Sequence, residues 1–181
     1  MNAPRILIAG IGNIFMGDDA FGCEVTKLLL EYPWPEGVRV TDFGIRGLDL
    51  AYALLDGPEV TILVDATGQG GAPGDVYVIE PDLETLDLSA PEEFVDAHTM
   101  HPLNVLRMAK MIGADLKRIL LVGCEPGELG DPQEGLMGLS GPIQAAVPEA
   151  AELVRKLVAE LLHEDEPRPS AGMETASPGP V

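Results

Sequence analysis

RILIAGIGNIFMGDDAFG, residues 5–22, opens on a continuous apolar run and then enters a glycine-bearing loop. Residues 5–10 read as a buried strand, because Ile6, Leu7, Ile8 and Ala9 follow one another without a polar residue. Gly10 and Gly12 then begin a turn like that of a dinucleotide-binding loop, but position 15, where G-x-G-x-x-G needs its third glycine, holds Phe15. Two adjacent aspartates, Asp18 and Asp19, follow. A loop that receives phosphate has no use for two negative charges, so the nature of its ligand is the question this stretch raises.

Downstream, strands and helices alternate. Phe21, Val25, Leu28 and Leu29 recur at i, i+4, i+7 and i+8, the spacing of one helical face. Residues 38–42 form a second short strand, and Leu48, Ala51, Tyr52 and Leu55 mark a helix after the turn at 44–47. Residues 61–65 make a third, apolar strand that ends in Asp65. The link GQGGAPG, 68–74, leads to a fourth strand at 75–80. A parallel return needs about a dozen residues, so the fourth strand is expected to run antiparallel to the third. Residues 81–97 are acidic and irregular. A helix over 102–112 starts with Pro102 in its first turn and sets Val105, Met108, Ala109 and Ile112 on one face. A fifth strand at 118–123 and a Gly- and Pro-rich loop at 126–142 precede the last helix, which ends near 162. Val147, Ala150, Ala151, Val154, Leu157 and Leu161 face inward on it, and Pro148 either starts its main body or kinks it.

This alternation predicts a three-layer α/β/α sandwich around a twisted, mostly parallel sheet of about five strands, one of them antiparallel. One domain spans residues 1–162, and 163–181, rich in Glu, Pro, Ser and Gly, forms a dispensable disordered tail. Ligands of such sheets sit beyond the carboxyl ends of the strands. The loops 10–19, 42–47, 65–73 and 123–130 are therefore expected to meet at one edge.

Composition narrows the function. A chain of 181 residues can bury a proper core, and 30 Asp and Glu against 11 Lys and Arg give a formal charge of −19. That balance argues against nucleic acid and anionic membrane surfaces as partners, and is compatible with a metal or a basic protein. Apolar runs are of strand length, so no transmembrane helix is expected. Cys23 and Cys124 lie far apart with no signal peptide ahead of them, which predicts a cytoplasmic protein with two free thiols.

The candidate chemistry lies in the loops. One of Asp18 and Asp19 can cap a helix, leaving the other exposed at the sheet edge. Asp65 points into the same crevice, unless it only bonds its own turn. His98 and His101, in DAHTMHP, are two of three histidines; Pro102 disfavours helix at His101, so one ligand is favoured over two. Two carboxylates and one imidazole suit a divalent cation, and ligand type alone leaves nickel, zinc and manganese open. Neither a G-x-S-x-G elbow nor HExxH is present, and Cys124 reads as a buried structural thiol.

In order along the chain, GIGNIFMGDDAFG (10–22), DFGIRGLDL (42–50), ILVDAT (62–67), DAHTMHPLNVL (96–106) and LLVGCEP (120–126) with GLMGLSGP (135–142) resemble the hydrogenase maturation proteases. The resemblance implies an endopeptidase that trims the C-terminal extension from the large subunit of a nickel–iron hydrogenase. It implies that Asp19, Asp65 and His98 read nickel carried by the substrate, with another divalent metal able to occupy the site in isolation, and that cleavage waits for nickel insertion. Asp18 would then be a cap or a support, and the protein a monomer that engages the hydrogenase large-subunit precursor transiently. The other readings are a non-enzymatic nickel-binding accessory protein of hydrogenase assembly and a nucleotide-dependent oxidoreductase. The missing third glycine and the added acids count against the latter. Arg46, in the second loop, is either solvated or a contact for the substrate segment.

Overall fold

The computed structural model describes residues 4–84, 101–131 and 133–164. Five strands form one sheet in the order β2-β1-β3-β5-β4: β1 Ile6–Ile11, β2 Val38–Gly44, β3 Val60–Ala66, β4 Val76–Ile79 and β5 Arg118–Cys124. β1 pairs in parallel with β2 and β3, β3 pairs in parallel with β5, and β4 is antiparallel to β5. The helices are α1 Phe21–Leu30, α2 Gly47–Leu55, α3 Pro102–Met111 and α4 Gly141–Glu164. The fourth strand runs antiparallel to β3, as expected, and it pairs with β5 at the sheet edge. Its link wraps the end of β5, as the bonds Thr67 N–H to Cys124 O, Gly74 N–H to Glu125 O and Glu125 N–H to Asp75 O show.

Side chains of β1 alternate between two apolar layers. Ile6 and Ile8 join Phe21, Val25 and Leu29 of α1 and Val147, Ala150 and Val154 of α4. Leu7, Ala9 and Ile11 join Leu50 and Leu54 of α2 and Val105, Leu106 and Ala109 of α3. Burial on both faces explains why this strand is apolar throughout.

Several helix faces differ from the sequence reading. Leu28 is exposed, and α1 buries Thr26 instead, whose hydroxyl donates to Gly22 O within the helix. On α2 the buried residues are Leu50, Ala51, Ala53 and Leu54, while Leu48, Tyr52 and Leu55 face water. On α3 Val105, Leu106 and Ala109 are buried, and Met108 and Ile112 are exposed. Both helices carry apolar residues on more than one side, so periodicity alone selects the wrong stripe. α4 starts at Gly141, within the stretch expected to be loop, and contains Pro148, which therefore does not open it. It runs to Glu164, and the remainder of the expected tail, 165–181, lies outside the described residues. Among the described residues no helix is long and apolar enough to cross a membrane.

Candidate active site

The parallel strands β1, β2, β3 and β5 all end at one sheet edge, and the expected loops meet there. The turn after β1 is tight because Gly12, at φ +146°, lies under the 18–20 segment: an added Cβ would sit 1.9 Å from Asp19 O. Gly22 permits the close docking of α1 that a dinucleotide loop assigns to its third glycine. A Cβ there would meet Ile11 O at 2.1 Å and Val64 O at 2.2 Å.

The two aspartates have different tasks, and neither caps a helix with its side chain. Asp18 is fully buried. Its carboxylate accepts bonds from Gly127 N–H at 2.8 Å, Glu128 N–H at 2.5 Å, Ser140 N–H at 2.7 Å and the Ser140 hydroxyl at 2.9 Å. Burial pushes its pKa up, but the bonds from Glu128, Ser140 and Gly127 together outweigh it and hold the carboxyl below its ordinary range. Asp18 is thus a latch between the first loop and the 126–140 loop.

Asp19 stays part-exposed, with Oδ2 accepting Asn13 N–H at 2.8 Å. Burial raises its pKa against that bond. Asp65, near the end of β3, is only 4% exposed and accepts the Thr67 hydroxyl at 3.0 Å. Its pKa stands well above the ordinary carboxylate range, first through burial and then through the negative charge of Asp19. The sheet therefore brings together two of the three expected ligands, in an arrangement where the charge of Asp19 disfavours that of Asp65.

The third, His98, lies outside the described residues. Among the described residues, no three His, Cys, Asp or Glu side chains gather closely enough to hold a metal. His101 starts α3: it is the N-cap, and its Nδ1 accepts Leu103 N–H at 3.3 Å. α3 leads into β5, which is parallel to β3, so the N-terminus of α3 opens toward the edge that carries Asp65. The chain from His101 back to His98 spans three residues, a reach of roughly 10 Å.

A model of the family described as hydrogenase maturation protease (HycI) matches residues 23–157. This chain belongs to the hydrogenase maturation protease family. It is 33% identical over 161 residues to the hydrogenase expression/formation protein HoxM of Azotobacter vinelandii, covering 88% of this chain and 75% of the relative. Among solved structures, it superposes on the hydrogenase maturating endopeptidase HybD of E. coli with a TM-score of 0.69 at 28% identity, over 87% of this chain and 93% of that one. It also matches the NiFe hydrogenase maturation protease HycI of Thermococcus kodakarensis KOD1, with a TM-score of 0.57, 30% identity and coverage of 88% and 93%. The protein is accordingly a peptidase.

Neither thiol of this maturation protease is presented as a nucleophile. Both cysteines are buried and unpaired. Burial, with the charge of Asp42, pushes Cys23 up to about 12, and burial, with that of Asp18, pushes Cys124 up to about 11. Arg46 is solvent-exposed, its side chain 60% accessible, and its guanidinium donates to Phe43 O at 3.1 Å and to Asp42 O, closing the second loop.

Two supporting residues escaped the sequence reading. Glu125, one residue past β5, accepts Gln69 N–H at 2.6 Å. That bond, against the effect of burial, holds its carboxyl below the ordinary range, with Gly71 and Gly70 N–H adding to it. Glu125 thereby shapes the 68–71 loop. Tyr77 on β4 donates its hydroxyl to Thr67 O, which steadies the turn whose Thr67 side chain holds Asp65. Its ring lies over Gly123, where a Cβ would sit 2.3 Å from it. Glu125 follows a strand end just as Asp65 does, and that place was the signal available; Tyr77 carries none in sequence. An open cleft of about 750 Å³ lies between Gln69, Gly71, Tyr77 and Glu125, along the same edge.

Proposed function

We propose that this protease removes the C-terminal extension of a nickel–iron hydrogenase large-subunit precursor after nickel insertion, and reads the metal with Asp19, Asp65 and His98. The observation that carries the reading is the carboxyl pair at the sheet edge, buried Asp65 facing the charge of part-exposed Asp19 with its own pKa raised well above the ordinary range. A divalent cation arriving with the substrate stabilises both ionised carboxylates at once, and two oxygens with an imidazole nitrogen suit a borderline ion such as nickel. The chain's own residues are thus poised to respond to the metal in the precursor.

Hydrolysis also requires an activated water. Asp19 and Asp65 are the described carboxylates available to act as general base on it. Thr67 fixes Asp65 Oδ2, Tyr77 fixes the carbonyl of Thr67, and Asn13 fixes Asp19. These bonds hold the pair in place before the substrate arrives. The names of the similar proteins, maturation proteases and a protein of hydrogenase expression and formation, support the choice of substrate.

Alanine substitution at Asp19, Asp65 and His98, one at a time, tests the ligand set against His101→Ala as control. Processing of a nickel-loaded precursor, followed as a mobility shift on gels, is expected to disappear in the first three and to persist in His101→Ala. Wild-type processing by His98→Ala would remove His98 from the site.

A further inference from the structure

The loop that carries Asp19 also presents an apolar surface with no use inside the fold. Ile14 is 42% exposed and Phe15 60%; across from them Leu129 is 61% and Met137 69% exposed. These side chains stand on a platform knitted by backbone bonds. Leu136 N–H donates to Phe15 O at 2.8 Å, Gly17 N–H to Leu136 O at 2.7 Å, Gly130 N–H to Met16 O at 3.1 Å and Asp18 N–H to Glu128 O at 2.9 Å. Asp18 pins the same two loops from beneath. The backbone needs of both loops are thus met internally, and their exposed apolar groups are held in fixed positions.

The platform adjoins the candidate site directly, since Asn13, at the base of its first strand of loop, donates to Asp19 Oδ2 at 2.8 Å. Residues 13–17 and 135–141 contain no Asp, Glu, Lys or Arg in a chain of formal charge −19, while exposed Glu128, Asp131 and Glu134 flank the patch beside Leu129. Exposed aromatic and methionine side chains on a frame fixed by backbone bonds, with charges at the rim, are what a protein interface uses. A peptidase must hold the polypeptide next to the scissile bond, whereas a second copy seated here would block access to Asp19.

We infer that Ile14, Phe15, Leu129 and Met137 form the docking surface for an apolar segment of the substrate next to the scissile peptide bond. This rests on the hydrogenase-precursor reading and assigns that substrate's contact on the same site. Phe15 is its central anchor, because an exposed, rigidly mounted aromatic contributes most when a partner covers it.

The test measures KM, kcat and Kd for a nickel-loaded hydrogenase large-subunit precursor with the wild type, Phe15→Ala and Phe15→Leu. Met111→Ala serves as a control, since Met111 is 81% exposed at the end of α3, away from this loop. Phe15→Ala is expected to raise KM and Kd at least tenfold with kcat retained, Phe15→Leu to recover most of the loss, and Met111→Ala to match the wild type. Unchanged KM and Kd in Phe15→Ala, with the wild type active, would overturn the docking surface and leave the precursor reading intact. A loss confined to kcat would also overturn it, by making Phe15 a support of Asp19. A wild type that binds but does not cut, with Kd weakened in Phe15→Ala, would keep the surface and remove the endopeptidase reading. A wild type that neither binds nor cuts the precursor would remove both.

Discussion

Asp18→Ala is expected to be the most damaging substitution at the sheet edge, although Asp18 touches neither of the proposed described ligands through its side chain. The carboxylate accepts four bonds, from Gly127 N–H, Glu128 N–H, Ser140 N–H and the Ser140 hydroxyl, and it is fully buried. A hydrogen bond to a charged group contributes about 1.5–3 kcal/mol net, and an orphaned buried donor costs about 1–3 kcal/mol. Four such terms sum to about 6 kcal/mol or more. Water can enter the part-open loop and satisfy some donors, which brings the expected loss to about 3–5 kcal/mol, a large share of the ~5–15 kcal/mol that holds a domain together. Asp18→Asn keeps the shape but loses the charge and turns an NH2 toward donors, so about 1–3 kcal/mol is expected. Urea unfolding followed by circular dichroism measures both, with unchanged m as the sign that the native fold is kept. Because the folded pKa of Asp18 lies below its ordinary value, this stabilisation is complete above the unfolded pKa near 3.9 and is lost as pH falls through the folded value. The gap between wild type and Asp18→Asn should therefore narrow only in acid. A loss below about 1 kcal/mol for Asp18→Ala at pH 7 would refute the latch.

Asp65→Asn should behave in the opposite sense. A carboxyl whose folded pKa is raised adds stability that is complete below its unfolded pKa and lost as pH rises through the folded value, so at pH 7 the raised pKa of Asp65 counts against the stability of the protein. Thermal melts should show Asp65→Asn more stable than the wild type at pH 7, with the difference closing toward pH 4; a less stable variant at pH 7 would contradict the buried-carboxyl account. Gly22→Ala places a Cβ about 2 Å from two backbone carbonyls and should lower stability by at least ~3 kcal/mol in urea, beyond the ordinary cost of overpacking. A near-neutral result would mean that α1 can lift off β1 and β3. Iodoacetamide at pH 8 should leave both native thiols unlabelled, since burial holds Cys23 and Cys124 far above that pH, and mass spectrometry of the treated protein shows whether it does.

The central strands were legible because burial on both faces favours continuous apolar runs, as in Ile6–Ile11. The site edge was legible for the same topological reason, and Asp19 and Asp65 are found where parallel strands end. The two aspartates of the first loop were not distinguishable in sequence. What separates them is a set of donors more than a hundred residues away, Gly127, Glu128 and Ser140, which no local pattern records. Leu48, Tyr52 and Leu55 misled for a related reason: helical spacing reports an apolar stripe but not which stripe the sheet covers. The direction of β4 was legible because the length of its connection limits it; its neighbour was not, because the link from Thr67 to Asp75 wraps β5 through backbone bonds that any sequence can make. Tyr77 matters through its hydroxyl on a backbone carbonyl, which is equally silent in sequence.

The central claim is that the Asp19–Asp65 carboxyl pair makes cleavage depend on the metal carried by the substrate. Its most direct test is mass spectrometry of a hydrogenase large-subunit precursor, nickel-loaded or empty, after mixing with the wild type and with Asp19→Ala. The account predicts loss of a C-terminal peptide from the loaded precursor with the wild type alone. Cleavage of the empty precursor, or of the loaded one by Asp19→Ala, would contradict it.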